Sequence, residues 1–387
     1  MRRPVRVLIV AGELSGDMHA AGLVRALRRR LDAMECYGIG GDALQREGVE
    51  IIRHARDMAV MGFLELIPKL AFFRRAFRDL LRLAAERRPD VVLLVDYPGF
   101  NLRFAARAHA MGLKVVYFIC PQVWAWHRSR MTAMARNVDR LISILSFEPA
   151  EFDGTGLAVD YVGHPLVDDM RRAREEPLPE LPWGGGPRVA VLPGSRAQVV
   201  RRMLPVFLQT ADAFARRRPG ATFLIASASP EMTEIVERIL RRHAGGVAAF
   251  RVVTGQTRAI LRTAQAALAA SGTATLEAAL LECPPLIAYR VDPLSFAVLR
   301  RVVKVPHIGI ANLIAGREVC PEFVQNAATP EAMSEALDRA IHDPTERERI
   351  LAGCREVAGK LGAGGAHDRA AEAVLQAIGI AGVEAME

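Results

Sequence analysis

The stretch "LAASGTATLEAALLECPPLIAYR", residues 268–290, passes from apolar to small and hydroxylated to helical within a few positions. An unbroken apolar run ending in Ser271, Gly272 and Thr273 leads into the periodic "TLEAALLE", and "PPLIAYR" then begins a second apolar run. A strand buried on both faces shows a continuous apolar run rather than alternation, and such strands belong to parallel sheets covered by helices. The stretch therefore predicts a strand, a tight turn, a helix and the next parallel strand. In such sheets ligands bind where strand ends turn into helix starts.

The same rhythm runs through the chain. In the first half the apolar runs are "VRVLIVAG" from Val5, "VVLLVD" ending at Asp96, "KVVYFIC" ending at Cys120 and "RLISILS" ending at Ser146. In the second half they are "RVAVLPGS" from Arg188, "ATFLIASAS" from Ala221, "FRVVTG" from Phe250, "AALAASGT" from Ala266 and "PPLIAYR" from Pro284. Between the halves lies "REEPLPELPWGGGPR", residues 174–188, rich in Pro and Gly and poor in periodicity, which reads as a linker. A chain of 387 residues exceeds what one hydrophobic core usually serves. The expected fold class is α/β, with two Rossmann-like doubly wound domains facing across a cleft. Their expected bounds are 1–175 and 187–365, with a C-terminal helix, 366–387, that packs back on the first domain.

Composition narrows the partners. The net charge of +8 favours an anionic one: nucleic acid, an anionic lipid surface or a phosphorylated substrate. No basic stretch interleaves with aromatics as a single-strand binding surface would, so nucleic acid ranks last. The five cysteines are odd in number, scattered and never spaced as CxxC, which argues against a disulfide framework and a zinc cluster. The sequence offers no metal-ligand set and no cofactor motif. "MRRPVRVLIVAGELSGD" reads as a first strand rather than a signal peptide, and no stretch reaches the ~20 apolar residues that cross a bilayer.

Five loops are candidates for chemistry. In "LPGSRAQ" a strand ends and a helix begins, so Gly194, Ser195 and Arg196 offer close backbone approach, freed amides and a forked cation to a phosphate. The plainer alternative is a turn capped by Ser195 with Arg196 in solvent. Ser271, Gly272 and Thr273 follow the same plan, and Glu277, about one turn into the next helix, is placed to accept from ribose hydroxyls. An N-cap with a dipole-favoured carboxylate is the alternative there. Asp96 ends an apolar strand and opens "DYPGFN", where a partly desolvated carboxylate can act as a general base or simply serve the turn. "GELSGD", with Ser15, Gly16 and Asp17, turns into a helix with Ser15 as the expected cap, and "PQVWAW" brings Trp124 and Trp126 to a strand end, where they line a pocket or belong to the core.

Residues 60–83 place Phe63, Leu66, Ile67, Leu70, Phe73, Phe77 and Leu80 at helical spacing, widened by Leu64 and Phe72, with Arg74, Arg75, Arg78 and Arg82 opposite. That pattern fits either a core stripe or a helix lying in an anionic lipid interface.

"GELSGD", "MGFLE", "DYPGFNL", "PQVWAW", "VGHPLVD", "LPGSR", "SGTATLEAAL" and "NLIAGRE" occur in the order and approximate spacing of lipid-A-disaccharide synthases, and the chain resembles that family from about residue 5 to residue 325. The resemblance implies a type B glycosyltransferase fold and an inverting, metal-independent transferase. Its substrates would be UDP-2,3-diacylglucosamine and 2,3-diacylglucosamine 1-phosphate, at the cytoplasmic face of the bacterial inner membrane with its anionic lipid. The resemblance also places the base on Asp96, further catalytic roles on Arg196 and Asn312, and UDP contacts on Gly194 to Arg196, Ser271 to Thr273 and Glu277. Ser15, Gly16, Asp17, Trp124 and Trp126 fall in acceptor or donor loops, and Phe63, Leu64, Leu66, Ile67, Leu70, Phe72 and Phe73 face the membrane. Two positions depart from the family pattern: Gly99 stands where a second Asp is common, and Ala311 where Pro is usual. A UDP-N-acetylglucosamine 2-epimerase, a peptidoglycan-type transferase and a silent UDP-sugar binder would share the fold and the second-half loops.

Overall fold

In the computed structural model the apolar runs become strands of two parallel sheets. The structure describes residues 3–58, 63–126, 128–243, 245–292, 296–297, 300–301 and 305–380; the side chains at 63–69, 125–126 and 128–129 lie outside that description. By the contacts within the chain, one unit comprises Met1–Pro165 and Gly364–Glu387, the other Leu166–Ala363.

The first unit holds β1 (Val5–Ala11), β2 (Met34–Gly40), β3 (Glu50–His54), β4 (Val91–Val95), β5 (Val115–Phe118), β6 (Arg140–Ser143) and β7 (Ala158–Tyr161). They pair in the order β3-β2-β1-β4-β5-β6-β7. The strand order reverses between β1 and β4, which lie side by side with Ala11 opposite Val95. Leu8, Ile9, Val10 and all of β4 are fully buried, which is why those segments read as continuous apolar runs. The helix Ala366–Ala377 belongs to this unit. Asp368 accepts from Arg29 and Arg30 at 2.7 Å each, while Ala370, Val374 and Leu375 are buried.

The second unit holds β8 (Arg188–Leu192), β9 (Thr222–Ser227), β10 (Ala249–Thr254), β11 (Ala266–Ala270), β12 (Pro285–Tyr289) and β13 (Glu322–Val324), in the order β10-β9-β8-β11-β12-β13. Its reversal lies between β8 and β11, where Leu192 faces Ala269. The chain passes between units at Pro165 and Leu166, ahead of the Pro/Gly-rich stretch expected to divide them. The physical reason is that the helix Leu166–Glu175 and the stretch after it are bonded to the second unit. Arg262 donates to the carbonyls of Arg174 and Glu176 at 2.9 and 2.7 Å, and Trp183 Nε1 donates to Thr263 Oγ1 at 2.9 Å.

Four strands were not legible as apolar runs. β3, β7 and β13 are short and sit at sheet edges. β2 is interior, but glycines interrupt it: a Cβ at Gly38, φ +147°, would lie 1.9 Å from the carbonyl oxygen of Ile9 on β1.

Candidate active site

In each unit some of the candidate residues lie at the reversal of strand order, where a doubly wound sheet opens a crevice. In the first unit the loops after β1 and β4 meet there. Asp96 and Tyr97 both take left-handed backbone, φ +44° and +50°, before Pro98 opens the helix Pro98–Ala110. Two consecutive non-glycine residues in that region are held by bonds to the carbonyl of Asp96. Tyr117 Oη donates to it at 2.5 Å and Asn101 Nδ2 at 2.8 Å, while Asp96 N donates to Phe118 O at 3.1 Å. Asp96 itself is half-buried. The Tyr97 ring lies against Gly12, where a Cβ would come within 2.4 Å of it, and its hydroxyl donates to Met58 O at 2.8 Å. Burial pushes the Tyr97 phenol up to about 12. Gly99 is exposed, with open space where a Cβ would stand.

Other expected residues of this unit have structural duties. The helix Leu14–Arg28 is entered through Glu13, so Ser15 lies inside its first turn rather than capping it, and Ser15 is exposed. Asp17 is buried and accepts from the amides of Gly41, Ala43 and Leu44 at 2.6, 2.9 and 3.2 Å; it holds the start of the helix Asp42–Arg46. Gly16 is buried with its Cβ position 3.7 Å from Val95, an ordinary packing distance. Trp124 is buried, edge-on to Phe147 at 4.9 Å, and donates to Glu148 Oε1 at 3.1 Å. Its indole belongs to the core. The Trp126 side chain lies outside the described residues.

The helix Phe63–Arg87 divides along its length. Ala76, Leu80 and Ala84 are fully buried, and Phe77 packs edge-on against Phe100 and Phe104 at 5.4 and 5.7 Å. The stripe from Ala76 onward is therefore core. Leu70 is 42% exposed, Phe72 and Phe73 are half-buried, and Arg74, Arg75, Arg78 and Arg82 are exposed. Phe63, Leu64, Leu66 and Ile67 have side chains outside the description.

In the second unit the loops after β8 and β11 meet. Gly194 has φ +110°, and a Cβ there would press on Val199 at 2.8 Å. The helix Ala197–Arg217 then starts at Arg196 with no side-chain cap and no acidic residue in its first turn. Ser195 does not cap it, and both Ser195 and Arg196 are exposed. The helix Thr273–Leu280 starts at Gly272 in the same uncapped, acid-free way, with open space beside Gly272. Three other helices of the unit carry caps, from Ser229, Thr329 and Asp343, whereas Thr257–Thr263 and Ile310–Ala315 are uncapped as well. Uncapped amides leave the positive end of the helix dipole available to an anion.

Ser271 Oγ donates to Ile308 O at 3.1 Å, bringing the entry of the helix Ile310–Ala315 beside the same turn. Glu322 fixes that entry by accepting from Ile308 N and Gly309 N at 2.7 and 3.0 Å. Asn312 is fully buried and saturated. Its Nδ2 donates to Cys320 O and Glu322 Oε2 at 2.9 and 3.0 Å, and its Oδ1 accepts from Val319 N and Cys320 N at 2.9 Å each. An amide side chain offers two donors and two lone pairs, so none remains for a ligand. Asn312 shapes the loop; the catalytic role expected of it has no free atom to act through. Ala311 beside it is fully buried.

Glu277 lies 3.6 Å from Arg258, which stands 3.6 Å from Asp169 as well. Burial raises its carboxyl above the ordinary value, and Arg258 opposes that rise. Sequence reading missed Arg258, Tyr97 and Asn101, whose roles arise from partners in space; only Tyr97, inside "DYPGFN", carried a local signal. Among the described residues no group of three or more His, Cys, Asp or Glu is arranged to hold a metal ion, and no helix is long and apolar enough to cross a membrane.

Comparison with known proteins bears on the family and the fold. Residues 7–376 match the family model described as lipid-A-disaccharide synthetase. A lipid-A-disaccharide synthase from Myxococcus xanthus is 39% identical over 385 residues, covering 97% of this chain and 98% of that one. The Geobacter sulfurreducens protein of the same name is 37% identical over 379 residues, covering 97% of each. Among solved structures, a MnaA–UDP complex from S. aureus superposes with a TM-score of 0.62 at 13% identity, covering 98% of both chains. MurG from Acinetobacter baumannii gives 0.59 at 12% identity, covering 96% of this chain and 100% of that one. Those two likenesses establish the type B glycosyltransferase fold. With a family model spanning nearly its whole length and relatives this similar end to end, the chain belongs to the lipid-A-disaccharide synthase family of glycosyltransferases.

Proposed function

We propose that the protein transfers 2,3-diacylglucosamine from its UDP derivative to the 6-hydroxyl of 2,3-diacylglucosamine 1-phosphate, with inversion and without a metal, giving a β-1,6-linked disaccharide phosphate and UDP. The observation that carries this reading is the gathering of Asp96 in one unit, and of two uncapped helix starts in the other, at the reversals of strand order.

In this reading Asp96 takes the proton of the acceptor hydroxyl as that oxygen attacks the anomeric carbon on the face opposite UDP. The C–O bond to the pyrophosphate breaks, and the charge that develops there is met by amides at the starts of the helices Ala197–Arg217 and Thr273–Leu280 and by Arg196. Glu277, steadied by Arg258, accepts from the ribose hydroxyls. The exposed arginines of the helix Phe63–Arg87, with Leu70, Phe72 and Phe73, hold the protein to the anionic cytoplasmic face of the inner membrane, where acylated substrates reside. Incubation with both acylated sugars tests the reading: UDP release and a disaccharide phosphate are expected. UDP release without disaccharide, or epimerised sugar, would displace it.

A further inference from the structure

A buried carboxyl that plays no part in the steps above lies beneath the loop after β5. Glu148, 1% exposed, opens the short helix Glu148–Glu151 that follows β6. Its Oε1 accepts from Trp124 Nε1 at 3.1 Å, and its Oε2 lies 2.5 Å from Ser143 Oγ. Ser143 Oγ also lies 2.9 Å from Leu145 O, and it accepts from Leu145 N at 3.3 Å.

The proton count decides the state of this network. A serine hydroxyl carries one proton, which cannot serve both the Leu145 carbonyl and an ionised Glu148. If Glu148 is protonated, its Oε2–H donates to Ser143 Oγ, and Ser143 Oγ–H donates to Leu145 O. Every short contact then holds a proton. The groups bonded to Glu148 are neutral, Ser143 from β6, Trp124 and Cys120 from the segment after β5 and the amide of Leu145, while the charge of Asp96 reaches Cys120 beside them. Burial is the largest influence and pushes the carboxyl up to about 7, against the pull of those donors. The Cys120 thiol is buried too, and raised well above its ordinary value.

The network adjoins Asp96 through the sheet. β5 lies between β4 and β6, Asp96 N donates to Phe118 O at 3.1 Å, and Ile119 N donates to Ile142 O at 3.0 Å. The loop pinned by Trp124 therefore leaves the sheet one strand from the proposed base, just beyond Ile119, whose φ is +67°. We propose that Glu148, held as a neutral acid, is a positioning residue for the transfer: it fixes Trp124 and the segment 120–126 beside Asp96, and its ionisation loosens that segment. The inference rests on the reading of Asp96 as the base.

The folded protein binds this proton more tightly than the unfolded chain does, so the associated stability is complete below the ordinary carboxyl range and is lost as pH rises through about 7.

The test uses the full-length protein without substrates. In a Trp126→Phe, Trp183→Phe background, Trp124 is the one remaining tryptophan of three. Its emission should titrate with a midpoint of about 7 and become flat across that range when Glu148→Gln is added. In activity assays without the tryptophan changes, Glu148→Gln should keep kcat at about pH 6 and lose the fall on the alkaline side. Glu148→Ala should lower kcat roughly tenfold or more with little change in KM. Emission that stays flat with Glu148 present, or Glu148→Gln as impaired as Glu148→Ala, would overturn the inference. If the unmodified enzyme transfers no sugar, the functional reading fails, while the emission titration still judges Glu148.

Discussion

At the scale of single residues, consecutive left-handed conformations at Asp96 and Tyr97 store on the order of 1–3 kcal/mol each, held by Tyr117 and Asn101. Strain of that kind points to a carboxylate whose direction matters. Asp96→Asn should leave the melting temperature and UDP affinity unchanged while lowering kcat by roughly 10²- to 10⁴-fold, measured as UDP release. Asn312→Ala makes the opposite prediction. Removing the four hydrogen bonds of this buried side chain should cost on the order of 3 kcal/mol in denaturant unfolding. The place of Asp96 at a strand end was legible because it closes an apolar run. Asp17, Trp124 and Asn312 were not, because what occupies them lies far along the chain: Asp17 holds amides at 41–44, and Trp124 meets Glu148.

At the scale of elements, interior strands announced themselves by unbroken apolar runs, whereas edge strands such as β13, three residues long, carry too little burial to leave a pattern. The helix Phe63–Arg87 shows where periodicity falls short. One stripe serves the core through Ala76, Leu80 and Ala84 and continues past Phe73 toward the exposed Leu70. Sequence spacing cannot mark that division, because both uses need the same apolar face. The exposed arginines give the membrane reading its test. Reversing Arg74, Arg75, Arg78 and Arg82 to Glu should weaken binding to anionic vesicles by about 1 kcal/mol or more per site, with little effect on neutral vesicles. Unchanged binding in sedimentation would assign these arginines another purpose. The uncapped helix starts were legible only as turns, since a missing cap is a property of geometry rather than of the residue at the turn.

At the scale of the whole molecule, two sheets of one topology were legible from the repeated rhythm, but the passage from unit to unit at Pro165 was not. Proline and glycine density marks irregular backbone, and here that backbone is bonded along the second unit. The helix Ala366–Ala377 buries Ala370, Val374 and Leu375 in the first unit, so ending the chain at Ala363 should lower the thermal transition of that unit. UDP at about 100 times its dissociation constant should stabilise the second unit by about 2.7 kcal/mol, and calorimetry of the full and shortened chains separates these effects. In the proposed function the nucleotide's charge rests on main-chain amides at the strand-order reversal of the second unit. Crystals of the protein with UDP test it most directly. The pyrophosphate is predicted within hydrogen-bonding distance of amides at the starts of the helices Ala197–Arg217 and Thr273–Leu280, with the ribose at Glu277. UDP ordered at any other strand end, with those amides left to solvent, would show that the charge is met elsewhere.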